Sequence, residues 1–203
     1  NLPPEELPSS LLQAVQENNI DALQSFLKTA CDVNVSVKDG ITPLLLAALG
    51  GHLGMVQCLL DAKGSVNVKV KSSGATPILV AAQQGHLELV KCLSESKATL
   101  SCKSKLGANA INLAVLKGYT RVVKFLMKAK ADTNASDSLD GASPVYEAVL
   151  LRNGILRILL EGTANPDAAR RNGETPTCVC ILRGDARTLW LLITAKAKVD
   201  KPD

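Results

Sequence analysis

The stretch Gly74-Ala75-Thr76-Pro77-Ile78 decides the fold, because close variants of these five residues recur along the chain. The variants begin at Gly40, Gly107, Gly141 and Gly173, where the sequence reads GITPL, GANAI, GASPV and GETPT. Successive glycines are 34, 33, 34 and 32 residues apart. Self-similarity at a nearly fixed period of this size indicates a repeat protein, in which each repeat packs against its neighbours.

Each repeat is predicted to form a turn, a helix, a second turn and a second helix. Thr or Ser before Pro favours a helix start, since the hydroxyl caps free backbone amides and the proline ring suits the first helical position. Small residues four positions after the proline position let the first helix approach its neighbours closely; they are Ala47, Ala81, Ala114, Ala148 and Cys180. Glycines suit the tight connection to the second helix, at Gly51, Gly85, Gly118 and Gly184.

The composition agrees with thin stacked layers. Of the 203 residues 46% are apolar, which excludes wholesale disorder, yet only 2% are aromatic. A core with so few large rings must pack small and medium aliphatic residues closely. There is no apolar run of eighteen residues and no visible signal peptide, so we expect no membrane span and a cytoplasmic or nuclear location. The net charge of +4 permits an acidic partner without demanding nucleic acid.

These motifs resemble the ankyrin-repeat family, whose period and Thr-Pro-Leu-His-x-Ala signature they match in register. The resemblance covers nearly the whole chain and implies an all-α solenoid of helix pairs joined by β-hairpin loops. The chain departs from the signature at its histidine, which is replaced by Leu45, Leu79, Asn112, Tyr146 and Cys178. The fourth repeat is about one residue short around Arg152-Asn153-Gly154, so we expect an irregular turn there.

The period also sets the expected boundaries. A tail at residues 1–9 precedes a capping half-repeat at 10–37, and the five repeats occupy 38–71, 72–104, 105–138, 139–170 and 171–203. Trp190 stands where the earlier repeats carry Gln57, Lys91, Lys124 and Arg157. A terminal repeat should have a polar outer face, so we expect either a fragment of a longer protein or a cover for Trp190; the alternative is a single exposed tryptophan.

No catalytic, metal or cofactor site is predicted. The two histidines, His52 and His86, share one repeat position beside a turn glycine, which favours a structural role over catalysis. The carboxylates are scattered, and no glycine-rich phosphate loop occurs. The six cysteines lack metal-ligand spacing, and we expect free thiols, because stacked helices hold Cys58 and Cys92 too far apart for a disulfide.

Lysines occupy the position just after the second helix in four of the five repeats. After the second helix the family usually has glycine in a left-handed conformation, but here the matching residues are Lys63, Lys97, Lys130, Thr163 and Lys196. We expect the same conformation, at a cost of about 1 kcal/mol per non-glycine residue. Two interpretations of these lysines stay open: a solubilising edge, or an edge that meets an acidic surface.

The resemblance implies a protein-protein interaction module that binds a partner through its concave groove and hairpin tips. We expect no enzyme activity, a monomer, and a partner protein or peptide with apolar anchors flanked by acidic residues. The alternatives are the target-recognition part of a larger protein, such as a ubiquitin-ligase receptor, and an electrostatic binder of nucleic acid or anionic membrane. We do not expect nucleic acid, because no aromatic residues interleave with the basic ones.

The candidate partner-binding residues lie just after the hairpin glycine, at the ends of the first helices and along a basic rim. They are Lys38, Ile41, Leu49, Lys71, Gln83, Gln84, Lys105, Leu116, Lys117, Leu150, Leu151, Arg171, Leu182 and Arg183. Leucine at positions expected to face solvent is a concentration of apolar surface, which commonly marks an interface.

Overall fold

The computed structural model describes residues 7–29, 31–137, 139–152 and 154–198. Within these ranges all the regular secondary structure is helical, so the predicted all-α class is confirmed. The hairpin loops are held by isolated backbone hydrogen bonds, such as the one from Val37 N to Ile41 O at 3.0 Å. The chain divides into two compact units, with the division between Ser104 and Lys105.

The first unit contains three helix pairs. The first helices α1, α3 and α5 pack side by side, and the second helices α2, α4 and α6 form a parallel row behind them. Their bounds are α1 Leu7–Gln16, α2 Ile20–Lys28, α3 Pro43–Gly50, α4 Leu53–Asp61, α5 Pro77–Gln84 and α6 Leu87–Glu95, with a 3₁₀ turn at Lys38–Gly40.

The second unit contains three further pairs. The first helix α9 packs between α7 and α11, and each first helix packs on its own second helix. The bounds are α7 Ala110–Leu116, α8 Thr120–Lys128, α9 Pro144–Leu151, α10 Leu156–Glu161, α11 Pro176–Leu182 and α12 Ala186–Thr194.

The first helices start where the sequence predicts. Thr42, Ser143 and Thr175 each cap their helix by accepting a hydrogen bond from the backbone amide three residues later. Asn109, which lacks the following proline, forms a reciprocal capping box with Asn112. The predicted hydroxyl cap is wrong at Thr76: its Oγ1 lies 3.3 Å from Cys102 Sγ and caps no amide.

The small residues at the centre of each first helix are buried, as predicted. Ala47, Ala81 and Ala114 have no exposed surface, and Ala148 and Cys180 have almost none. All six cysteines are free thiols, two buried and four half-buried. Burial of small side chains at this repeated position allows the close helix packing that a core with few aromatic rings requires.

The two histidines pack over the turn glycines. A Cβ atom added to Gly50 would lie 2.4 Å from His52 Nε2, and one added to Gly51 would lie 2.7 Å from His86 Cε1. Gly51 also has a left-handed φ of 75°. The imidazoles therefore fill space that only glycine leaves open, which supports the structural role predicted for them.

The turn of the fourth repeat is irregular, as predicted. The other repeats of the second unit make this turn with one left-handed glycine, whereas here Arg152 (φ 51°) and Gly154 (φ 72°) are both left-handed. Ile155 is still outside the helix, and α10 has only six residues where the other second helices have nine. The short repeat thus shortens its second helix.

The four lysines that follow second helices are left-handed, with φ between 59° and 68° at Lys63, Lys97, Lys130 and Lys196. The expectation is wrong at Thr163, because the chain turns instead at the preceding Gly162 (φ −92°, ψ −141°).

The turn at Lys97 is braced by an asparagine of the preceding repeat. Asn67 Oδ1 accepts from Thr99 N at 2.8 Å while Asn67 Nδ2 donates to the Lys97 carbonyl at 3.4 Å.

Candidate partner-binding surface

Exposed leucines end every first helix of the second unit. Leu116 and Leu151 are each 43% exposed and Leu182 is 79% exposed, and they are the last residues of α7, α9 and α11. These side chains lie where each helix meets its turn, so no following residue of the same helix covers them. They form the most regular apolar feature on the described surface of this unit.

Leu150 does not lie where the sequence places it. It was expected as the exposed leucine of the fourth repeat, but it is half-buried and its neighbour Leu151 ends the helix instead. Arg183 Nη1 donates a 2.8 Å hydrogen bond to the Leu150 carbonyl. Arg183 therefore ties the end of α11 to the end of α9 and holds Leu151 and Leu182 on neighbouring helix ends.

At the equivalent repeat positions the first unit is more polar. Leu49 is exposed near the end of α3, and Gln83 and Gln84 are exposed at the end of α5. Ile41 is half-buried and packs against the buried cluster of Leu45, Val70 and Val80. Ile41 therefore contributes more to the core of its hairpin than to a contact surface.

The predicted basic rim is exposed in both units. Lys38 and Lys71 lie on the hairpins of the first unit, and Lys105 and Arg171 lie on those of the second. Lys117, predicted at the end of a first helix, is exposed as well. The backbone amide of Lys71 donates to Asp39 O at 2.9 Å, and that of Arg171 donates to Asp140 O at 2.8 Å. These bonds position the side chains at the hairpin tips.

The acidic residues of the hairpins are engaged within the protein. Asp39 accepts hydrogen bonds from the amide and the hydroxyl of Ser72. Asp137 Oδ1 accepts from three amides of its own loop, at 3.0 to 3.1 Å, and Asp140 pairs with Arg170. The carboxylates near the basic rim are thus hydrogen-bonded or, for Asp140, ion-paired within the protein.

Sequence reasoning missed three apolar residues of this surface. Leu106 and Leu139 are exposed on the hairpins of the second unit, and Ile181 is exposed beside Leu182. An open depression of about 430 Å³ is lined by Asn172, Glu174, Cys178, Ile181 and Leu182. The signal was available at Leu106 and Leu139, which are apolar residues within hairpin segments that are otherwise polar.

A polar network anchors the hairpin that lines this depression. Tyr146 is buried in α9, and its hydroxyl donates a 2.6 Å hydrogen bond to Glu174 Oε2 in the next hairpin. The Arg170 guanidinium lies over the Tyr146 ring, 5.0 Å from its centroid, and 3.5 Å from the Glu174 carboxylate. Burial, and then the hydrogen bond to Glu174, raise the pKa of Tyr146 well above its usual range. The hairpin that lines the depression is therefore anchored to the preceding repeat.

Two other properties of the described residues bear on function. They contain no group of three or more His, Cys, Asp or Glu side chains that could hold a metal ion. None of their helices is long and apolar enough to cross a membrane.

Comparison with known proteins identifies the family. The model for ankyrin repeats (three copies) matches residues 11–104 and 111–203. The chain belongs to the ankyrin-repeat family, and the predicted family and α-solenoid fold are confirmed. Ankyrin repeats are generally protein-protein interaction modules and are typically not catalytic.

Individual relatives agree. Ankyrin repeat protein YahD of Escherichia coli (strain K12) is 30% identical over 198 residues, which are 94% of this chain and 98% of that protein. The nuclear factor NF-kappa-B p105 subunit of Mus musculus is 34% identical over 93 residues, 45% of this chain and 10% of that protein. The crystal structure of an ankyrin repeat domain from Acinetobacter baumannii AYE superposes with a TM-score of 0.87, at 27% identity, covering 93% of this chain and 98% of that one.

Proposed function

We propose that this chain is a monomeric, non-catalytic protein-interaction module that binds a partner through its hairpin tips and the ends of its first helices. The observation that carries the proposal is the exposed leucine at the end of each first helix in the second unit, Leu116, Leu151 and Leu182. Fully burying an exposed leucine contributes about 1.5–3 kcal/mol, and these side chains would gain the share that corresponds to their remaining exposed surface, most of all Leu182.

The partner that fits this surface has aliphatic or aromatic anchors flanked by acidic residues. The anchors would meet the leucines, and the acidic flanks would meet Lys105, Lys117 and Arg171, all exposed. Asp140 is paired with Arg170, which reduces the negative charge that the second-unit hairpins present to such a partner. Charge complementarity of this kind raises the association rate and discriminates against basic partners.

The absence of a catalytic role is supported by how the reactive groups are used. His52 and His86 pack over turn glycines. Burial raises the pKa of the Cys102 thiol and raises that of Cys180 to about 11, which disfavours the reactive thiolates. The Tyr146 hydroxyl donates its hydrogen bond to the Glu174 carboxylate.

The proposal is tested by affinity capture from a cell lysate with three baits: the wild-type chain, Leu116→Glu/Leu182→Glu, and Lys124→Glu as a control. Lys124 is exposed on the second helix α8, away from the first-helix ends. We expect a set of proteins retained by the wild type and the control but lost by the double variant. Equal recovery on all three baits would contradict the proposed surface.

An electrostatic binder of nucleic acid is the second candidate, favoured by the exposed basic residues of the hairpins. Its binding should weaken steeply between about 50 and 200 mM salt, because phosphate contacts release counterions. A partner anchored by leucines should show a shallow salt dependence. Titration of a single-stranded oligonucleotide at both salt concentrations separates the two candidates.

A further inference from the structure

Trp190, the only tryptophan of the chain, lies outside the surface described above. It is on the second helix α12 and is 63% exposed. Two open depressions, of about 610 and 270 Å³, share Arg157, Trp190 and Leu191 in their linings. Together they form one cleft between α10 and α12, which we call the Trp190 cleft.

The helix α10 is the shorter of the two helices that bound the cleft. The left-handed residues Arg152 and Gly154 delay the start of α10 until Leu156, so the helix has six residues opposite the nine of α12. The floor is apolar, with Leu156, Leu160 and Leu191 in its lining. Earlier second helices carry Gln, Lys or Arg where α12 carries Trp190. The fold thus places a large exposed ring over an apolar floor at this one second helix.

The charged side chains around the cleft differ in how strongly they are engaged by other groups of the protein. Asp185 caps α12 by accepting from the amide and hydroxyl of Thr188, at 3.1 and 2.8 Å, and pairs with Arg152 at 3.1 Å. These contacts hold the pKa of Asp185 below its usual range, so the carboxylate stays ionised and engaged. Arg157 is exposed and forms an exposed 3.9 Å ion pair with Glu161, and Arg187, whose charge acts on Asp185, is exposed at the start of α12. Two solvent-accessible guanidinium groups therefore flank the ring.

We propose that the Trp190 cleft is a second docking site, which binds an acidic segment of a partner protein that places one aliphatic or aromatic side chain against Trp190. The apolar floor and the ring supply the anchor pocket, while Arg157 and Arg187 meet carboxylates on either side of the anchor. Aromatic and arginine residues are the types that dominate binding energy at protein interfaces. Nucleic acid fits less well, because a single ring offers only one stacking position for a base.

The site is independent of the first-helix leucines. Trp190 and Arg157 lie on second helices, whereas Leu116 and Leu182 end first helices. Loss of one site should therefore leave the other intact.

The experiment uses Trp190 fluorescence, which reports on this cleft alone because the chain has no other tryptophan. Peptides are selected from a random phage-displayed library on the wild-type chain, with depletion on the Trp190→Ala variant. Synthetic versions of the selected peptides, and of the same peptides with Lys in place of every Asp and Glu, are titrated while acrylamide quenching of Trp190 is measured. We expect selected sequences with acidic residues around an apolar anchor, protection of Trp190 by the acidic peptides, and none by the lysine versions.

Matched variants locate the contact. Arg157→Glu/Arg187→Glu should weaken the acidic peptides at least tenfold, whereas Lys124→Glu and Leu182→Glu should change their affinity less than twofold. Selected peptides without acidic residues, no selected peptide at all, or unchanged affinity for the arginine variant would overturn the proposal. Protection of Trp190 by an oligothymidine at low salt, and not by the peptides, would assign the cleft to nucleic acid and overturn the proposal. Protection that appears when the protein alone is concentrated would assign the cleft to a second copy of the chain and would also overturn it.

Discussion

The Tyr146 hydroxyl donates a 2.6 Å hydrogen bond to Glu174 Oε2, which joins α9 to the hairpin of the following repeat. Tyr146 occupies the position of the family's signature histidine, and its ring is buried beneath Arg170. The equivalent residue one repeat earlier, Asn112, donates to the Ala135 carbonyl at 3.0 Å. In both repeats a polar side chain on the first helix thus fixes the next hairpin, with different chemistry each time.

Removing the Tyr146 hydroxyl should destabilise the protein. We expect Tyr146→Phe to lower the free energy of unfolding by about 1–2 kcal/mol, because a hydrogen bond to a charged group is lost while the ring is retained. Urea unfolding followed by circular dichroism measures the change. Tyr119→Phe, at a half-buried tyrosine, is the control and should change the free energy by less than about 0.5 kcal/mol. Equal effects of the two substitutions would show that the bond to Glu174 contributes nothing.

The same tyrosine should make stability sensitive to alkaline pH. The pKa of Tyr146 in the folded protein is raised above that of an unfolded tyrosine, near 10, by burial and by Glu174. Its contribution is therefore complete below about pH 10 and is lost as the pH rises further, because only the unfolded chain then releases the proton. The difference in unfolding free energy between wild type and Tyr146→Phe, measured from pH 8 to 11, should shrink above pH 10. A constant difference would contradict the raised pKa.

The stability that Asn67 contributes between repeats should depend mainly on its acceptor oxygen, Oδ1. Asn67→Ala removes both bonds and should cost about 1–2 kcal/mol, while Asn67→Asp keeps the shorter one to Thr99 N and should cost less. Asp167 already works in this way, since its Oδ1 accepts from Lys198 N at 2.8 Å. Gln57→Ala, at an exposed position of α4, is the control in chemical denaturation. If Asp were no better than Ala, the donor bond to Lys97 would be the important one.

Much of the fold could be predicted because its signals are local. A hydroxyl before proline, a small residue one turn later and a glycine after the helix each act within a few residues, and their period fixes the packing. Prediction failed where a distant residue competes. Thr76 turns its hydroxyl to Cys102, 26 residues away, and so gives up its cap. No pattern within one repeat shows such a contact.

The candidate surface could be predicted only in part, for a similar reason. Leu116 and Leu182 are exposed as expected, but α9 ends one residue later in its repeat than α7 and α11, at Leu151, and Leu150 is half-buried. Ile41 is apolar because it completes a hairpin cluster, which the residue type alone does not distinguish from a contact residue. The Trp190 cleft brings together residues of α10 and α12 from different repeats, and no pattern within one repeat shows this.

The left-handed lysines store strain that glycine would release. At Lys97 (φ 64°) we expect Lys97→Gly to raise the free energy of unfolding by about 0.5–1 kcal/mol, because relief of the left-handed strain exceeds the added entropy of the unfolded chain. Lys97→Ala should have little effect, since alanine has the same Cβ. Lys124→Gly, within α8, should lose about 1 kcal/mol and serves as the control for glycine in general. Thermal unfolding that ranks the glycine variant at or below the alanine variant would show that lysine is unstrained here.

Substitution of the exposed leucines should separate binding from folding. Leu182→Glu and Leu116→Glu should each weaken the binding of a captured partner by roughly 1–3 kcal/mol, the loss expected when an anchor side chain at an interface is removed. Because Leu182 is 79% exposed, its change to Glu should alter the unfolding free energy by less than about 0.5 kcal/mol. Leu192→Ala, at a side chain with no exposed surface in α12, should instead cost about 2–5 kcal/mol of stability. Calorimetric titration of the partner and urea unfolding are run on the same preparations. A partner whose affinity survives both leucine changes, but falls when Lys63, Lys97 and Lys130 are neutralised, would move the site to the lysines that follow the second helices.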